Sequence, residues 1–121
     1  MNEIKEFKVI VAGSRGFRNY SMMERTLDNL LRNKSNITII SGGAKGADHA
    51  GETYAINHNL KLTVMSAEWD KYGKSAGYKR NVQMADQADA VVVFWDGVSR
   101  GTKHMIDIAG EKKLPMRIVK F

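Results

Sequence analysis

Three glycine-containing turns carry most of the residues that could do chemistry. The first is Ser41-Gly42-Gly43-Ala44-Lys45-Gly46-Ala47-Asp48. Its glycines let the backbone approach a phosphate closely, and a helix beginning there would aim unpaired N–H groups and its positive dipole end at the same anion. The same residues also suit a purely structural strand-to-helix turn. The loop is neither GxxxxGK[ST], since Lys45 precedes Gly46 and no hydroxyl residue follows, nor GxGxxG, so P-loop nucleotide hydrolysis is disfavoured. Ser99-Arg100-Gly101-Thr102 forms a second cradle, in which Ser99 or Thr102 also fits the role of helix cap. Gly13-Ser14-Arg15-Gly16 forms a third.

Other side chains could work with these loops. Arg80, beside Asn81, can hold a phosphate in a bidentate grip. Asp48 fits either a helix cap or an acceptor for ribose hydroxyls, and Asp48, Arg80 and Asp96 are the candidates for any catalytic role. Trp69 and Tyr72 are placed to stack on a base, Trp95 reads as core or rim, and His104 reads as a solvated helix residue that could alternatively bind an anion. There is no cysteine, which excludes thiol chemistry, disulfides and thiolate metal sites. His49, His58 and His104 lack the spacing of a metal motif. Neither a metal nor a cofactor is expected.

The chain has 121 residues with 19 Lys and Arg against 13 Asp and Glu, a net charge of +6. That length suits one domain spanning 1–121, with a core large enough to need no covalent staples. No segment resembles a signal peptide or a membrane span, so the chain is expected to be soluble and cytoplasmic.

The elements that must position the candidate residues follow from hydrophobic period. Short apolar runs at 8–12, 36–41, 61–65, 90–95 and 115–119 read as strands, the run at 90–95 as a central one. Met23, Leu27, Leu30 and Leu31 share a helix face over 21–32, opened by a capping box of Ser21 and Glu24. Ala47, Ala50, Gly51, Tyr54 and His58 share another, which stops at Asn59. Residues 66–77 read as a long irregular loop. Tyr78, Val82, Ala85 and Ala88 give a third helix, and Thr102, Met105, Ile106 and Ala109 a fourth.

Strict alternation of five strands and four helices predicts an α/β, Rossmann-like three-layer sandwich with a five-stranded parallel sheet in the order 3-2-1-4-5. Ligands of such sheets bind beyond the carboxyl ends of the strands where the winding reverses, here between strands 1 and 4. Segments 13–20, 41–48, 66–80 and 96–103 should converge there. They hold nine basic and four acidic residues, which leaves ten and nine for the rest of the chain. Nearly all the net charge therefore belongs to one edge, and an anionic ligand is expected there.

The segments VAGSRGF, SGGAKGADHAGETYA, GYKRNVQMAD and DGVSRGTKHMIDIA, taken in order, resemble the YspA-like, cpYpsA-related family of the SLOG superfamily, the group that includes Smf/DprA and Lonely Guy proteins. The resemblance covers nearly the whole chain. It implies a Rossmann-like domain that binds a nucleotide or nucleotide-derived ligand, possible ADP-ribose-type signals included, as a sensor or sequestering module. Gly42, Gly43, Gly46, Asp48, Arg80, Asn81, Gly101 and Thr102 are the positions its motifs assign to that ligand.

Lonely Guy enzymes, which cleave the N-glycosidic bond of nucleoside monophosphates, carry RKxxM and PGGxGTxxE motifs. Arg80-Asn81-Val82-Gln83-Met84 matches the first apart from the lysine, but Met105 stands where the glutamate of the second would be. A thioether neither stabilises an oxocarbenium ion nor activates water. Two alternatives to simple binding stay open: a nucleotide-processing hydrolase acting on an N-glycosidic or phosphoester bond, and single-stranded nucleic-acid binding in the manner of DprA, which ranks behind a small-molecule partner. Related proteins often self-associate, so a homo-oligomer is also an expectation.

Overall fold

The computed structural model describes residues 5–121. Five strands, β1 (Phe7–Gly13), β2 (Ile37–Ser41), β3 (Lys61–Val64), β4 (Ala90–Trp95) and β5 (Met116–Lys120), form one sheet. All four pairings are parallel and the order is β3-β2-β1-β4-β5, as the alternation predicts. The most apolar strand, β4, lies between β1 and β5, while β1 takes the middle position. The edge strands β3 and β5 are the more exposed ones.

Side-chain alternation along the buried strands builds two apolar layers. Val9, Val11, Ile39, Val92 and Phe94 face α1 (Tyr20–Leu31) and α2 (Ala47–Asn57). Ile10, Ala12, Ile40, Val91 and Val93 face α4 (Ala76–Gln87) and α5 (Arg100–Glu111). Each large aliphatic or aromatic side chain so buried contributes about 1.5–3 kcal/mol of transfer free energy. Met23, Leu27 and Leu31, spaced four apart, are the buried stripe of α1. Helix α2 packs more tightly: a Cβ at Gly51 would lie 2.8 Å from the Val11 side chain, so only glycine permits this approach.

Two local expectations change. Helix α1 is capped by Asn19, whose Oδ1 accepts the Met22 amide at 3.0 Å, and not by Ser21. Glu24 turns instead to His58, the residue that caps the end of α2, at 3.0 Å from Nε2. The stretch expected to be an irregular loop holds a single-turn helix, α3 (Trp69–Tyr72), followed by a 3-10 turn at Gly73–Ser75 that leads into α4. The α2 stop does fall at Asn59, which takes a left-handed conformation with φ 55°. Among the described residues no helix is long and apolar enough to cross a membrane.

Candidate functional site

The carboxyl end of β1 is fixed from two sides. The Ser14 amide donates to the Phe94 carbonyl at 2.9 Å, and the Ser14 hydroxyl accepts the Asp96 amide at 3.1 Å. On the other side the Ala47 amide, at the start of α2, donates to the Ser14 carbonyl at 3.2 Å. Gly46 makes that contact possible: its φ is +77°, and a Cβ there would lie 2.4 Å from the Arg15 carbonyl oxygen. Gly13 is equally confined, 2.1 Å separating its notional Cβ from the Phe94 carbonyl oxygen. Buried Ser14 therefore serves as a latch, and Arg15 is left exposed at the rim.

The β2–α2 loop is organised by its own side chains. Ser41 donates to Glu52 Oε2 at 2.6 Å and accepts the Gly43 amide at 3.1 Å. Asp48 Oδ2 accepts the Ala44 amide at 3.2 Å. Asp48 is only 5% exposed, and burial pushes its carboxyl up to about 6 despite the opposing pull of the Ala44 amide and the Arg80 charge.

Arg80 reaches the same place from α4. Its Nη1 donates to the Gly42 carbonyl, and its Nε donates to Asn81 Oδ1 at 3.1 Å. A Cβ on Gly42 would lie 2.7 Å from both Arg80 Nη1 and Asp48 Oδ2, so the missing side chain is the space these two groups share. Among the described residues Arg80 takes part in no ion pair. Burial lowers its pKa, and nearby Arg15 adds to that while Asp48 opposes it. A half-buried guanidinium without a contacting carboxylate is an unmet demand for an anion.

These groups line a cleft of about 220 Å³ beyond the carboxyl ends of β1 and β4. Gly13 and Arg15 line it from the β1 loop, Gly42 and Asp48 from the β2 loop. Arg80 and Asn81 come from α4; Ser99, Gly101 and Thr102 come from the start of α5. Trp69 forms an aromatic wall, 52% exposed, with its ring 3.3 Å from where a Gly77 Cβ would be. Lys74 belongs to the basic set expected at this edge, whereas Gly77 and Tyr78, together with the apolar floor of Met84 and Met105, are not singled out for the site by the sequence. Gly77-Tyr78 beside Lys79-Arg80 was the one available signal.

The remaining candidates, Ser99 apart, lie outside the cleft lining. Ser14, Ser41 and Gly46 hold the loops, and Gly43, with φ +75°, turns beside Ser66. Asp96 Oδ1 accepts the Val98 and Ser99 amides at 2.9 and 2.8 Å, which holds its pKa below the usual value and shapes the turn before α5. Ser99 caps α5 by accepting the Thr102 amide at 3.4 Å. Arg100 lines a neighbouring groove. Tyr72 carries Lys71 and Lys79 over its ring instead of facing the cleft, and half-buried Trp95 donates to the Ser99 carbonyl at 3.1 Å. His104 is half-buried, not fully solvated: it packs edge-on against Tyr78 and meets Asn81 Nδ2 at 3.1 Å.

Known proteins place this geometry in context. Among solved structures, DNA processing protein A (DprA) from Streptococcus pneumoniae superposes with a TM-score of 0.77 at 21% identity, over 95% of this chain and 50% of that one. DprA from Helicobacter pylori, described as having a unique single-stranded DNA binding mode, superposes at 0.72 and 21% identity, over 93% of this chain and 64% of its own. The chain thus spans half to two thirds of these proteins, and at this identity they establish the fold. Gene 61 protein of Mycobacterium phage D29 is 30% identical over 116 residues, which covers 90% of this chain and 93% of that protein. The family described as YspA, cpYpsA-related SLOG matches residues 7–72, the stretch that contains both latched glycine loops and Asp48. Sequence match, near-full-length relative and fold agree: the chain belongs to the YspA, cpYpsA-related SLOG family.

Proposed function

We propose that the cleft binds a nucleotide or nucleotide-derived ligand through its phosphate, and that the protein acts as a sensor or sequestering module for it. The observation that carries this reading is Arg80: a half-buried cation at the cleft wall, bonded to a carbonyl and an amide and in no ion pair among the described residues. Arg80 takes the phosphate, with Arg15 and Lys74 adding charge at the rim. Trp69 and Tyr78 offer faces to a base, and Asp48 accepts from a ribose hydroxyl. Gly42 and Gly101 keep the walls low enough for the ligand backbone to approach, and Asn81 and Thr102 supply further polar contacts.

A thermal-shift and calorimetric panel of nucleoside mono-, di- and triphosphates, NAD and ADP-ribose tests this, with Arg80→Ala as the control. A ligand at about 100 times its Kd adds roughly 2.7 kcal/mol, which moves the melting temperature by several degrees. The expected result is a shift with one phosphate-bearing class, lost in Arg80→Ala. Equal affinity in wild type and variant would remove the cleft as the site. Product analysis of the same mixtures, with Asp48→Asn alongside, reports any turnover.

The likeness to DprA favours a second reading, single-stranded nucleic acid laid along the basic edge with exposed Trp69 as a stacking surface. Binding of that kind weakens steeply between about 50 and 200 mM salt. Affinity for single-stranded DNA that is indifferent to salt over this range counts against it.

A further inference from the structure

A second groove, of about 520 Å³, lies beside the cleft and shares a wall with it: Tyr78 lines both. Its other side chains include Trp95, Val98, Arg100, Lys103 and His104. Two features suit a base. The Trp95 indole is held in place by its bond to the Ser99 carbonyl, with Lys120 Nζ 5.4 Å from the ring centroid. Val98 is 80% exposed, an apolar side chain with nothing over it. Arg100 suits a phosphate: it is exposed and takes part in no ion pair among the described residues. The one carboxylate in the groove, Asp107, is already bonded to Lys103 at 2.6 Å and does not compete for Arg100.

The wall between cleft and groove is built as a single unit. Asn81 accepts from Arg80 Nε through Oδ1 and donates through Nδ2 to the Gly101 carbonyl at 3.3 Å. That orientation makes His104 Nδ1 the acceptor of the second Nδ2 contact, so the imidazole is neutral and carries its proton on Nε2. Burial, which lowers the His104 pKa, acts in the same direction. The Arg80 guanidinium of one space and the His104 imidazole of the other are therefore held by one amide, and Tyr78, which lines both spaces, packs edge-on against that imidazole.

We propose that this groove is a second nucleotide subsite, which takes the unit joined by a phosphodiester to the nucleotide in the cleft, with Arg100 on the linking phosphate and Trp95 against the second base. The inference rests on the cleft being a nucleotide site. It makes the preferred ligand at least two units long, either a linear dinucleotide or the end of a single strand.

Calorimetric titration of the full chain with AMP, the linear dinucleotide pApA and the hexamer pA6 tests it, in wild type, Arg100→Ala and Trp95→Leu. Stacking of one further base predicts that pApA binds about tenfold or more tighter than AMP. The ratio of the two affinities falls toward one in both variants. A further large gain from pApA to pA6 identifies a single strand as the source of the second unit, and a plateau identifies a dinucleotide. Equal affinity of wild type for AMP and pApA, or a ratio that survives both substitutions, overturns the second subsite while leaving the cleft intact. No binding by any of the three overturns both.

Discussion

The two ends of the sheet bury different chemistry. Six polar side chains are buried among the described residues, and five of them, Ser14, Ser41, Asp48, Asn81 and Thr102, sit at the carboxyl edge; Thr38 is the sixth. The amino edge carries instead an apolar groove of about 210 Å³, lined by Phe7, Leu30, Leu31, Ala90, Pro115 and Met116. Buried polar groups cost free energy unless each is paired, so an end that collects them is built for something other than stability. The carboxyl edge meets that cost with a network in which Ser14, Ser41, Asp48 and Asn81 satisfy loop amides and carbonyls. Among the described residues, half-buried Arg80 has no contacting countercharge there. One end is built of apolar packing and the other carries the candidate site.

Substitutions can break or sharpen that contrast. The largest effect belongs to the apolar layer. Leu27→Ala, at a fully buried position one turn before Leu31, should lower unfolding free energy by about 2–5 kcal/mol in denaturant titrations while leaving ligand affinity of the folded protein intact. An affinity loss of the same size would mean the two ends are not separate.

Asp48→Asn should do the opposite. Because the folded carboxyl is raised to about 6 from an ordinary 3.8, Asp48 favours the folded state below that ordinary value and loses this contribution as pH rises through about 6. Near pH 7.5 the ionised, buried carboxylate is a liability on the order of 2–3 kcal/mol. The asparagine variant should therefore be more stable than wild type at pH 7.5 and no more stable near pH 4. A stability difference independent of pH would show that Asp48 is not a buried, raised carboxyl.

The smallest of these effects belongs to Ser99→Ala, which removes the α5 cap. It should cost about 1 kcal/mol by thermal or chemical unfolding. A loss several times larger would make the β4–α5 turn a main support of the fold and not a local one.

The sheet was legible because β1, β2 and β4 are short apolar, largely β-branched runs that end at turn residues, and their strict alternation with helices points to a parallel, doubly wound sheet. The error over residues 66–77 has a local cause. The helix Trp69–Tyr72 has only four residues, too few to display a period, and none of them is buried. The Asn19 cap was hidden by the stronger written pattern of Ser21 and Glu24, whose glutamate is used between helices.

At the site, the loops were legible but the direction of their hydroxyls was not. A serine beside a glycine turn looks the same whether it lines the cleft, as Ser99 does, or ties down the turn after a neighbouring strand, as Ser14 reaches Asp96. Met84, Met105 and Tyr78 enter the cleft only through the packing of α4 on α5, which no local pattern encodes.

The measurement that bears most directly on the account is the affinity of wild type and Arg80→Ala for the phosphate-bearing ligand that stabilises the protein most in the nucleotide panel, both titrated by calorimetry at one salt concentration. A charge-assisted contact to phosphate is worth about 1.5–3 kcal/mol, so the variant should bind at least about tenfold more weakly while keeping its fold. A folded Arg80→Ala protein with wild-type affinity would contradict the claim that this half-buried guanidinium is the centre of the site.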